Sequence, residues 1–331
     1  MADLSAQLGN SVTPQAIYKY EAGKMLPGSP LLIELSRVLN VPADFFFRPF
    51  TVQVSGVEFR KKSKLGARER KVIENYTVDR IERYVQIEDI TGSQLRPAFA
   101  KHAFMVSSVE DVRVLVERLR PEWIKGDTRI QNVICFLESL GVLVIEIEAI
   151  NSFDGLSGYA DNKPVVVVNK NFSPERKRFT ALHELGHLVL SFPEKTSTKD
   201  VEKFCHAFAS EMLFPSSCFL KDTSALFDGK FSLQDLAKFQ REYGISIDAL
   251  LYKARQFNLI SDGRYKNYQR IKNSRPAFKM YAEASRIQDE TSDRFERLVY
   301  KAVNGDLISA SKAASLLDVS IDQIMNNSLY V

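Results

Sequence analysis

Between residues 1 and 50, apolar positions recur at helical spacing and are punctuated by Gly9-Asn10, Gly23-Lys24 and Pro27-Gly28. That pattern predicts short helices joined by tight turns. Residues 51–75 look extended and then basic, which suits a linker. From Tyr76 to Leu119 the pattern is mainly helical, with Ile81, Tyr84, Val85 and Glu88 spaced for one face. Gln131 to Leu140 reads as a helix that Gly141 breaks, and the β-branched run from Val142 to Ile147 reads as a strand. Gly155 to Asn162 offers turn chemistry. The unbroken apolar run from Pro164 to Asn169 predicts a second strand, covered on both faces. Ser173-Pro174-Glu175 places a capping residue before a proline whose missing N–H costs nothing at the first helical position, so a helix begins there. It runs to about Leu190, and Pro193 stops it. A further helix runs from about Lys199 to Leu213 and ends at Pro215. The remainder, Ser216 to Val331, is largely helical, with caps at Ser232, Ser246 and Ser320. Ile308 to Ser320 reads as two packed core helices, and Arg264 to Arg270 as a solvated face. No internal repeat of fixed period is present.

A chain of 331 residues exceeds what one core comfortably serves, so more than one domain is expected. Its 45% hydrophobic and 26% charged content is ordinary for a globular protein. No apolar run approaches the roughly 20 residues that span a bilayer, and Met1 to Gly9 has no secretory pattern, so the expected location is the cytosol. Cys135, Cys205 and Cys218 are too few and too scattered for a disulfide framework, and read as reduced thiols. Charge is uneven along the chain. Arg60, Lys61, Lys62, Lys64, Arg68, Arg70 and Lys71 stand against Glu69 alone, a field that favours polyanions, although such runs are commonly solvated linkers.

The sharpest chemical signal is His183-Glu184-Leu185-Gly186-His187 inside the helix that starts at Ser173. Histidines four apart lie on one helical face, one turn from each other, so both imidazoles can reach one ion. A catalytic Zn2+ takes three protein ligands and keeps one position open for a water whose pKa falls toward ~7. Glu184, offset by about 100° around the helix, is positioned to accept a proton from that water. Three of the four histidines of the chain, His183, His187 and His206, fall in this short region. On the following helix Glu202 and His206 share a face, while Phe204, Phe208 and Met212 mark a core stripe. Glu202 is therefore the candidate third ligand, and His206 either supports the ligands from outside or replaces Glu202.

The runs Glu175 to Leu188 and Glu202 to Pro215, with Phe153-Asp154-Gly155-Leu156-Ser157-Gly158 ahead of them, resemble the ImmA/IrrE family of zinc metallopeptidases over about residues 130–220. The resemblance implies a gluzincin-like site of His183, His187 and Glu202 with Glu184 as general base. It also implies a specific repressor-like protein as substrate. Many members have asparagine where this chain has His206.

At the N-terminus, Thr13 caps a helix that has Pro14 at its first position, and Ile17 and Tyr20 fall on one side while Gln15, Tyr18 and Lys19 point outward. Gln and Lys on such a helix can read base edges and phosphates in a major groove. With Leu4 to Gly9 before it and Leu31 to Phe47 after it, the segment resembles the Xre/Cro-like helix-turn-helix family, whose members carry one further helix ahead of this point.

The expected fold class is α+β. Residues 1–50 form a small all-α helix-turn-helix domain, 51–75 a basic linker, 76–220 a zincin-like α+β metallopeptidase domain and 221–331 a helical region. The expected function is a transcriptional regulator that binds double-stranded DNA at Thr13, Gln15, Tyr18 and Lys19 and cleaves a repressor or antitoxin-like protein. The alternative is a non-catalytic DNA-binding regulator in which the zinc fold senses a ligand or partner. No membrane association is expected, and self-association into a homodimer is left open.

Overall fold

The computed structural model describes residues 1–39, 43–47, 67–124, 129–149, 153–229 and 231–328. Residues 51–66 of the expected linker, with most of its basic run, lie outside them, and residues 67–75 are helical. The chain divides into two compact units, one of residues 1–51 with 308–331 and one of residues 52–307.

In the first unit, α1 (Ala2–Gln7), α2 (Pro14–Glu21) and α3 (Ser29–Leu39) surround a small core of Leu8, Ile17 and Leu35. Gly9 and Asn10 turn the chain between α1 and α2 in the left-handed region, at φ of 64° and 58°. Thr13 Oγ1 accepts the Ala16 N–H at 3.2 Å, the cap that its position before Pro14 predicts.

The second unit opens with α4 (Ala67–Thr91), whose Ile81, Tyr84 and Glu88 are buried as their spacing implies. After β1 (Phe104–Met105), α5 (Val109–Trp123) and α6 (Val133–Ser139) come three strands, β2 (Leu143–Ile147), β3 (Gly155–Ala160) and β4 (Lys163–Asn169). They form a sheet in the order β2-β4-β3, with β2 parallel and β3 antiparallel to β4. The central β4 is buried along nearly its whole length, in keeping with its continuous apolar run.

The structure corrects the turn expected at Gly155 to Asn162. Those residues form β3 and the tight return into β4, where Asp161 has φ of 49°. Gly155, Ser157 and Gly158 have weak intrinsic preference for a strand, and pairing with β4 overrides it. The small residues also serve packing. A Cβ on Gly155 would stand 2.7 Å from Thr180 Cγ2 and 2.9 Å from Val167 O, so glycine lets the next helix lie close to the sheet.

That helix is α7 (Pro174–Val189), and α8 (Thr198–Leu213) packs beside it. Ser173 stands at the N-cap position of α7 but makes no capping side-chain bond, unlike Ser197, which caps α8 through Asp200 N. α7 stops before the proline, because Leu190 and Ser191 leave it as β5 and pair with β1. Leu182, Leu185 and Val189 of α7 join Val144 and Val166 of the sheet and Phe208 and Met212 of α8 in one core.

A second core gathers Phe214 and Phe219 with α9 (Ser216–Phe227), α10 (Leu233–Tyr243) and α11 (Ile247–Gln256). Ser232 and Ser246 cap the last two helices as expected. Next come α12 (Asp262–Ser274) and α13 (Pro276–Glu283), an extended stretch at 284–293, and α14 (Arg294–Asn304), which packs on α4. α15 (Ala310–Leu317) and α16 (Ile321–Ser328) belong to the first unit and pack on each other around a left-handed Asp318.

A buried ion pair fastens the two cores together. Lys253 Nζ of α11 lies 2.8 Å from Glu211 Oε1 of α8 and 2.6 Å from Phe214 O, with the lysine 2% and the glutamate 4% exposed. Burial holds the Lys253 ammonium below its ordinary range against the opposing pull of Glu211. Removing the glutamate strands that lysine in apolar surroundings, which costs about 3–5 kcal/mol, whereas a matched apolar pair is often neutral. Urea unfolding of Glu211→Ala should show that loss, and Glu211→Leu with Lys253→Met should recover most of it. A single-variant loss below about 1 kcal/mol would fit a solvated surface pair instead.

Candidate metal centre

Two glycines shape the ground on which the histidines stand. Gly155 admits α7 to the sheet, and Gly186, in the middle of the His-Glu-Leu-Gly-His run, admits α8 to α7. A Cβ on Gly186 would stand 3.3 Å from Phe208 Cδ1 and 3.4 Å from the Cys205 Cα. The close approach carries Glu202 of α8 to the two histidines of α7. His183 Nε2 and His187 Nε2 are 3.1 Å apart, and the Glu202 carboxylate oxygens lie 3.3 Å from the first and 3.6 Å from the second. His187 and Glu202 are buried, and His183 is partly so.

This donor set fits a small tetrahedral cation. Bonds of about 2.0–2.1 Å in a tetrahedral zinc site set ligand atoms about 3.3–3.4 Å apart, close to the separations found here. Two imidazole nitrogens and a carboxylate supply lone pairs to one point, an arrangement that a cation compensates. The second ring nitrogen of His187 is engaged as well, with Cys205 Sγ 3.2 Å from His187 Nδ1. A contact at the far nitrogen of a ligating histidine fixes the ring orientation and leaves the near nitrogen to the metal.

Glu184 faces a different neighbour. Ser157 Oγ of β3 donates to Glu184 Oε2 at 2.7 Å, so the strand that reads as a turn in the sequence holds the candidate base. Neither Ser157 nor Cys205 is singled out by spacing. The polar Ser157 within a Gly-rich strand, and a cysteine three residues after Glu202 on the same helix, were the only local hints.

His206 lies beside the group of three, exposed on α8. Its ring meets the His183 ring at a centroid distance of 4.4 Å and stacks on Phe179 at 5.7 Å. Glu202 and His206 line a cleft of about 1630 Å³. Phe179 stands on the same side, and Tyr252, Lys253 and Tyr265 come from α11 and α12. The volume exceeds the ~300–1,000 Å³ usual for small-molecule sites and suits a stretch of polypeptide.

Thr13, Gln15, Tyr18 and Lys19 belong to the first unit, all exposed on and just before α2, with Lys24 Nζ 5.9 Å from the centre of the Tyr18 ring.

Two family models match parts of the chain. Residues 137–255 match the family model of the IrrE N-terminal-like domain, a peptidase family, and residues 1–46 match a helix-turn-helix family model. The first match runs from α6 through both metal-centre helices and into α11. No curated protein matches the chain. The chain therefore joins a helix-turn-helix domain to a metallopeptidase-like domain in a mixed α+β fold. Among the described residues no helix is long and apolar enough to cross a membrane.

Proposed function

We propose that this protein is a cytosolic DNA-binding regulator whose second unit is a zinc peptidase acting on one specific partner, a repressor or antitoxin-like protein. The observation that carries the reading is the convergence of His183, His187 and Glu202 beside a peptide-sized cleft. These three residues would hold the ion. When bound there, zinc polarises a peptide carbonyl and makes a water acidic enough to lose its proton near neutral pH.

The work of the chain is then proton transfer and positioning. Glu184 takes the proton of the attacking water on its carboxylate and returns it to the leaving amine. Ser157, donating to Oε2, fixes the plane of that carboxylate on β3. Cys205 holds the ring of His187, and glycine at residue 186 leaves room for the close approach of α8 to α7. The wall formed by α11 and α12 confines the substrate, which favours selection of one partner over general digestion.

The test is elemental analysis of purified protein, expected to return about one zinc per chain, together with incubation against the products of neighbouring genes. Cleavage of one of them should stop with a chelator and resume with zinc. Protein that holds no zinc even after readdition would overturn the reading. Zinc binding without hydrolysis of any partner would favour a non-catalytic sensor.

For the first unit, affinity for its operator duplex should fall steeply with salt, since phosphate contacts release counterions. Gln15→Ala should weaken discrimination between sequences, and Lys19→Ala should weaken binding to all of them and reduce the salt slope by about one. Salt-independent retention of DNA would count against groove binding by α2.

A further inference from the structure

Away from the metal centre, the extended stretch 284–293 crosses the N-terminal half of α7 and is anchored there by buried charge. Glu290, 7% exposed, accepts the Val133 N–H at 2.7 Å and pairs with Arg178. Lys177, 1% exposed, reaches Glu146 at 2.9 Å, Asp289 at 2.7 Å and the Glu290 carbonyl at 2.9 Å. Beside this crossing lies a second hollow of about 340 Å³ between the stretch, α10 and the segment that leads into α6. Four arginines line it: Arg129, Arg178, Arg241 and Arg286.

The acidic residues of the same lining are already engaged by other cations. Glu242 pairs with Arg129 at 2.8 Å, Glu290 with Arg178, and Asp289 with Lys177. Arg241 and Arg286 make no ion pair among the described residues. Arg286 is nevertheless held in place by neutral acceptors, Gln240 Oε1 at 2.6 Å, Tyr281 O at 2.8 Å and Ala284 O at 2.9 Å, and by the Tyr281 ring at 4.3 Å. A guanidinium fixed by carbonyls, in a concave site with a second guanidinium that likewise makes no ion pair among the described residues, leaves two arginine forks for a ligand to engage. The planar fork of arginine suits the oxygens of a phosphoryl group. The volume sits at the low end of small-molecule sites and excludes a polypeptide or duplex.

We propose that this hollow is an anion site for a phosphoryl group, either free phosphate or the phosphate of a mononucleotide, gripped by Arg241 of α10 and Arg286 of the crossing stretch. Occupancy ties the stretch to α10. Because the stretch also grips Arg178 and Lys177, binding stiffens its seat on the metal helix.

The test is calorimetric titration of the full-length protein with inorganic phosphate and, separately, with AMP, at constant ionic strength set by chloride. Saturable binding is expected, weakened roughly 10-fold or more in Arg241→Ala, as loss of a charge-assisted hydrogen bond implies. Arg241 is exposed and makes no ion pair among the described residues, so this variant should unfold at the wild-type temperature. Arg241→Ala with Arg286→Ala should abolish binding. Hydrogen exchange should slow at 284–292 when ligand is added. AMP binding more tightly than phosphate identifies a nucleotide ligand, and equal or weaker binding identifies free phosphate. No saturable binding of either probe, binding unchanged in both variants, or protection that omits 284–292 would overturn the proposal. None of these outcomes depends on the peptidase reading.

Discussion

Glu202→Ala is expected to bind zinc roughly 10²–10⁴-fold more weakly than the parent protein, and to lose the metal during purification. Apparent zinc affinities of about 10–16 kcal/mol, spread over the ligands of a site, make each ligand worth about 3–5 kcal/mol. Glu202 also sits within 3.3–3.6 Å of both histidine nitrogens, so its removal takes away the one anionic donor of the group. His206→Asn is the contrasting variant. His206 touches His183 through its ring face and stands exposed, outside the group of three donors. Partners that act from outside the ligand set typically matter ~10–100-fold, and an exposed ring contact belongs at or below the low end of that range. His206→Asn should therefore keep its zinc. Competition against a chromophoric chelator measures the two variants side by side. If His206→Asn loses the metal and Glu202→Ala keeps it, the centre is built from three histidines.

What made the centre legible was local. His183 and His187 are one helical turn apart in a helix announced by Ser173-Pro174, and Glu202 and His206 share a face of the next helix. Such relations are written in a window of a few residues. The continuous run of β4 was legible for the same reason. β3 was not, because Gly155, Ser157 and Gly158 carry turn chemistry, and only pairing with β4 and the approach of α7 make a strand of them. Ser157 could not be assigned to Glu184 without that strand. The region after residue 220 reads in the sequence as a helical C-terminal region. Its return to the metal helix depends on Glu290 meeting Arg178 and on Lys253 meeting Glu211, contacts between residues far apart in sequence that no periodicity announces. The cleft is likewise a product of distant elements, since α8 and α11 supply facing residues only after both cores have formed.

Glu184→Gln should leave zinc bound while cutting hydrolysis of the partner by about 10²–10⁴-fold, the usual worth of a positioned general base. The amide has almost the same shape as the carboxylate. Its oxygen can still accept from Ser157 Oγ, so the helix and the three donor residues should stay where they are. What the amide lacks is basicity, because it cannot take the proton from water at neutral pH. Ser157→Ala provides the matching control from the other side of the hydrogen bond made at 2.7 Å. It leaves a basic carboxylate with one fewer constraint on its orientation, so kcat should fall far less than in Glu184→Gln and KM should hardly change. Ser157→Thr, which restores a hydroxyl, should recover part of the loss. Zinc content measured on the same samples keeps the two roles apart. Undiminished cleavage by Glu184→Gln with its zinc in place would move the base to another residue, whereas loss of zinc in that variant would make Glu184 part of the metal-holding structure instead.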